Sequence, residues 1–84
     1  MTLHDKFMDA TNGNTDLTFA EKCALMNLFI NYADTVKNGL AEDEQTAARM
    51  KAYGGIELLQ HMGAISDDED LYMLLNEIEA GGQE

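Results

Sequence analysis

Apolar residues recur at helical spacing through most of this chain, and the longest such run lies between Thr18 and Asn38. Leu25, Phe29, Tyr32 and Val36 follow at i, i+4, i+7 and i+11, which predicts one buried stripe along a helix. Phe19, Met26, Ile30 and Ala33 make a second stripe beside the first, and Asn27, Asn31, Asp34, Thr35 and Asn38 fill the narrower polar face. An apolar arc this wide needs neighbours on two sides, so a central helix over about 18–38 is expected to organise the fold. Thr18 and Glu21 have capping-box spacing at its start. Asn38-Gly39 ends it, because glycine takes the left-handed conformation after a helix without a Cβ penalty.

The remaining segments are expected to pack on that helix. Thr2 to Ala10 makes a short helix with Thr2 as cap and Leu3/Phe7 as an apolar i,i+4 pair. Asn12-Gly13 marks a turn in the loop that follows. A third helix spans AEDEQTAARMKAY, with Glu42, Asp43 and Glu44 in its first turn. Its apolar content (Ala47, Ala48, Met50, Tyr53) is thin, which predicts a peripheral position. Gly54-Gly55 is expected to break or kink the chain before a short fourth helix, IELLQHM, that turns Leu58, Leu59 and Met62 to the core and stops at Gly63. Ser66 to Glu69 has the spacing of a second capping box, opening a last helix to about Ala80 with Leu71, Leu74, Leu75 and Ile78 at i, i+3, i+4 and i+7. The expectation is an all-α bundle of four or five helices, a single domain over 1–80 with a frayed tail at 81–84.

Composition narrows the class. Eighty-four residues fit one domain, and 45% apolar residues are enough for a core. No apolar run is long enough to span a bilayer. The start of the chain lacks the basic and apolar blocks of a secretory signal. The single cysteine, Cys23, cannot form an internal disulfide, which fits a reducing cytoplasm.

Charge changes the picture most. Sixteen acids face five bases, for a net charge of −11. Direct nucleic-acid binding depends on Lys and Arg neutralising phosphates, so it is disfavoured, as is an anionic membrane surface. A helix-turn-helix around Ala47 to Ile65 fails for the same reason, since Glu57 would face phosphates with only Arg49 and Lys51 to compensate. A cation, a basic protein partner or solubility alone remain as uses for the acids.

Seven acids (Glu21, Glu42, Asp43, Glu44, Asp67, Asp68, Glu69) sit in first turns, where the helix dipole alone accounts for them. Asp70, Glu77 and Glu79 are among those this does not account for, and they continue the negative surface along the last helix. Around the last helix, Met73 falls off the leucine stripe among Glu69, Asp70 and Glu77, and Tyr72 falls between Asp68 and Glu79. Methionine and tyrosine ringed by carboxylates have the make-up of an interaction patch, because such residues are enriched in interface cores. The competing reading packs Tyr72 or Met73 on the third helix. The candidate partner-binding residues are therefore Asp68, Glu69, Asp70, Tyr72, Met73 and Glu77, with Glu42, Asp43 and Glu44 as a second patch.

Other chemistries match less well. Counted back from Glu21, the loop before the central helix puts Leu17, Asp16, Asn14 and Asn12 at calcium-loop positions, but Ala10 and Thr15 stand where the entry ligand and turn glycine belong. The acyl-carrier reading fails because the one serine, Ser66, lies in Ile-Ser-Asp-Asp rather than Asp-Ser-Leu. His4 and His61 have no zinc spacing, Cys23 has no activating neighbourhood beyond Lys22, and no phosphate-binding glycine loop is present. No catalytic residue, cofactor or metal site is expected.

The expected function is non-enzymatic: a regulator or inhibitor that docks a negative helical face on a basic surface of another protein. Small acidic inhibitors encoded by mobile elements share this size and charge. Two alternatives stay open: a homo-oligomeric assembly module, most simply a homodimer, and a degenerate EF-hand-like calcium binder.

Overall fold

The computed structural model describes residues 2–81, and the expected fraying of Gln83 and Glu84 lies outside them. Among the described residues the chain forms four helices and no strand: α1 Leu3–Thr11, α2 Phe19–Lys37, α3 Glu42–His61 and α4 Glu69–Glu79. The all-α expectation holds, with four helices rather than five. None of them is long and apolar enough to cross a membrane.

The helix ends follow local chemistry. Thr2 Oγ1 accepts the Asp5 N–H at 3.2 Å. At α2 both halves of the capping box form, with the Glu21 N–H donating to Thr18 Oγ1 at 3.2 Å and the Thr18 N–H to Glu21 Oε1 at 2.9 Å. Gly39, at φ 64°, closes α2 with paired bonds from the Leu40 N–H to the Thr35 carbonyl and from the Gly39 N–H to the Val36 carbonyl.

The core runs through all four helices. Phe7 of α1 meets Phe29 of α2 edge-on at 5.2 Å, and Leu25, Tyr32, Ala52, Ile56, Leu71, Leu75 and Ile78 complete its most buried part. The first stripe of α2 is buried except that Val36 is only half-buried. The second stripe departs from expectation. Ala33 is buried, but Phe19 is 81% exposed and Ile30 39% exposed, because the partners of α2 cover one side of its apolar arc and leave the other open.

The expected break at Gly54-Gly55 does not occur, and α3 runs unbroken through both glycines. Two glycines inside a helix cost about 2 kcal/mol relative to alanine. Tertiary packing offsets this, since Ala48, Ala52 and Ile56 lie on one face and are buried. Gly55 lets α2 approach closely: a Cβ there would stand 2.9 Å from Leu28 Cδ1 and 3.2 Å from Leu25 Cδ1. The third helix is therefore a core element rather than a peripheral one. Ile56 takes the core position, which turns Leu58 and Met62 outward and leaves Leu59 half-buried, against the expectation that all three face inward. Gly54 is different, because a methyl group there meets nothing within 4 Å. Gly54→Ala is expected to raise stability by about 0.5–1 kcal/mol, read as a higher thermal midpoint. A lower midpoint would contradict the continuous helix.

The second capping box is also absent. Asp68 is the N-cap of α4 and makes no side-chain cap bond. The Glu69 N–H instead reaches Asp67 Oδ1 at 3.3 Å, while the Ser66 hydroxyl lies 3.4 Å from Asn14 Oδ1. Asn14, only 3% exposed, clamps this turn. Its Oδ1 accepts the N–H groups of Ser66 (2.8 Å) and Asp67 (2.9 Å), and its Nδ2 donates to the Asp67 carbonyl at 2.9 Å.

Candidate functional site

Turning by about 100° per residue, α4 carries its candidate residues on two different sides. Leu71, Leu74, Leu75 and Ile78 fill its buried face, as expected. Asp70, Met73 and Glu77 flank that face toward α1, where they line a shallow groove of about 210 Å³ with Lys6, Asp9, Ala10 and Leu74. Met73 is 59% exposed there. The Lys6 ammonium is paired with Glu77 Oε1, and among the described residues the Asp9 and Asp70 carboxylates form no ion pair. Asp9 and Lys6 are not among the residues that the sequence singles out. Their i,i+3 spacing on α1 was visible, but only the packing of α1 against α4 brings them to the groove.

Tyr72 and Asp68 turn the other way, toward α3. Tyr72 is half-buried and stacks on Tyr53 with ring centroids 5.3 Å apart and planes at 23°. The Arg49 guanidinium lies 5.8 Å from the Tyr53 ring centroid and 3.6 Å from Glu79 Oε1. Burial, then the charges of Asp68 and Glu57, push the Tyr72 hydroxyl above its ordinary value of 10.0. Tyr72 thus belongs to the α3/α4 packing and does not share a surface with Met73. Glu69 is exposed at the start of α4.

The second patch sits elsewhere. Glu42, Asp43 and Glu44 are exposed in the first turn of α3, whose cap, Ala41, offers no side-chain bond. The Glu44 N–H is shared between Asp43 Oδ1 and the Ala41 carbonyl, each at 3.0 Å. Glu42 also borders a groove of about 170 Å³ with Tyr32, Gln45, Arg49 and Glu79, on the far side of α4 from Met73. The nine candidates therefore divide among the α1/α4 groove, the α3/α4 seam, the start of α3 and, for Glu69 alone, the exposed start of α4.

In the loop before α2, Glu21 Oε1 is held by the Thr18 N–H and Asn14 Oδ1 by two backbone N–H groups, so two of the oxygens with calcium-loop spacing have structural partners. Among the described residues no group of three or more His, Cys, Asp or Glu side chains is placed to hold a metal ion. Cys23 is half-buried on α2, and His61 is exposed in the last turn of α3.

Fold and surface together describe a small four-helix protein with an acidic, methionine-centred groove between its first and last helices. Neither a protein-family model, nor a curated protein, nor a solved structure matches this chain.

Proposed function

We propose that this protein is a binding module that docks the α1/α4 groove on a basic surface of another protein. One observation carries the reading: Met73 stands 59% exposed between helices whose lining side chains are Asp9, Asp70 and Glu77, with Lys6 as the only cation and already paired. An exposed thioether adapts to an irregular apolar contact, and the surrounding carboxylates steer a basic partner and set its orientation. A net charge of −11 adds long-range attraction that speeds encounter. Where the basic surface is one that normally holds nucleic acid, docking blocks it, the mode of action of small acidic inhibitors. A cytoplasmic setting fits the lone Cys23.

Capture of partners from host lysate at low and high salt tests the reading, provided a variant is run beside the wild type. A basic protein retained at low salt, released at high salt, and held on the order of tenfold more weakly by Asp9→Lys/Asp70→Lys is the expected result. Both substituted side chains are exposed, so the variant should keep the wild-type helical spectrum. Equal retention by the folded variant would sink the assignment of this groove.

A further inference from the structure

Among the described residues the outer face of α2 is only partly covered. Phe19, Cys23, Met26 and Ile30 fall on one stripe, with Phe19 81% exposed, Ile30 39% exposed and the other two half-buried. At about 100° per residue this stripe lies on the opposite side of the helix from Leu28, which meets Gly55 of α3. The core covers only the edge of the stripe where Met26 packs, and Phe19 and Ile30 stay open. Phe19 alone leaves on the order of 150 Å² of apolar surface in water.

We infer that this stripe is the contact between two copies of the chain, packed as an antiparallel α2–α2 pair. Three features favour a second copy over other occupants. The first is spacing: steps of four, three and four residues read the same in both directions, so a two-fold axis at the centre pairs every stripe residue with another of the stripe. An axis between Ala24 and Leu25 sets Phe19 against the partner's Ile30 and Cys23 against the partner's Met26. The second is charge. Residues 17–40 hold two acids (Glu21, Asp34) and two bases (Lys22, Lys37), so the whole net charge of −11 lies outside them. Two copies repel wherever their acidic surfaces meet, and α2 is the helix on which they approach without that cost. A basic partner, by contrast, gains nothing from a neutral stripe. The third is the register itself, which sets no like charges opposite one another within the paired helices, since Lys22 falls against the partner's Asn27.

Size sets the expected strength. A standard interface takes about 800 Å² from each partner, roughly a sixth of the 5094 Å² exposed by this chain. A stripe about 17 Å long supplies less, so the dimer belongs to the weak, micromolar class.

Sedimentation equilibrium under reducing conditions, from a few micromolar to roughly 1 mM protein, tests the inference. A monomer–dimer equilibrium is expected that tightens several-fold between about 0.05 and 0.5 M salt, because salt screens the repulsion between the acidic surfaces. That direction is opposite to the salt response of the α1/α4 groove, so failure of one proposal is distinguishable from failure of the other. Phe19→Glu/Ile30→Glu should weaken the dimer by on the order of thirtyfold or more while leaving the helical spectrum intact. A chain that stays monomeric at all concentrations and salts, or a dimer that the folded double variant retains at full strength, overturns the inference.

Discussion

Replacing Phe29 with alanine is expected to produce the largest single loss of stability in the protein. Phe29 is fully buried on α2 and packs edge-on against Phe7 at 70°. Truncating a buried phenylalanine costs about 3–5 kcal/mol through lost transfer energy and the cavity left behind. A chain of 84 residues has a total stability of about 4–13 kcal/mol at typical per-residue values, so the loss is a large share of it. Denaturant unfolding of Phe29→Ala should show a midpoint shifted far down, with a thermal midpoint at least about 12 °C lower. Phe19→Ala on the same helix supplies the control, since a side chain 81% exposed should change stability by less than about 0.5 kcal/mol. Equal losses at both positions would contradict the side of α2 assigned to the core.

The second large effect is expected at Asn14, a residue with no apolar surface to contribute. Its carboxamide joins the α1–α2 loop to the α3–α4 turn, 52 and 53 residues further along the chain. Asn14→Ala removes the acceptor for the Ser66 and Asp67 N–H groups and the donor to the Asp67 carbonyl. Leaving buried groups of this kind unpaired costs about 1–3 kcal/mol each, reduced here because the turn is only partly buried. A total loss of about 2–4 kcal/mol is expected in chemical denaturation. Asn14→Asp keeps both acceptor bonds but loses the donor and sets a carboxylate facing the Asp67 carbonyl, so it should fall between alanine and wild type. Hydrogen exchange at Ser66 and Asp67 would localise the effect. Unchanged protection there in Asn14→Ala would remove the clamp from the account.

These two residues also mark the boundary of what the chain discloses before it is folded. The caps at Thr2 and Thr18, the glycine ends at 39 and 63, and the leucine stripe of α4 were all legible, because each depends on residues within four or five positions of one another. Asn14 looked like a loop residue, or a weak calcium ligand, since its partners lie across the fold. The same long-range contact explains why Ser66 to Glu69, with the right spacing for a capping box, forms none. At Gly54-Gly55 local propensity points to a break, and the close approach of Gly55 to α2 with the burial of Ala52 and Ile56 overrides it. Shifting the inward face to Ile56 is enough to turn Leu58 and Met62 outward. The site was legible in part: Met73 and its carboxylates were visible on α4, but the separation of Tyr72 from Met73 depends on α1 and α3 taking opposite flanks of that helix.

Hydrogen–deuterium exchange of this protein, free and bound to the basic partner captured at low salt, tests the central claim most directly. The account predicts slowed exchange along α4 from Asp70 to Glu77 and along α1 around Lys6 to Ala10, with α3 unchanged. Protection confined to α3, with α1 and α4 exchanging as in the free protein, would contradict it.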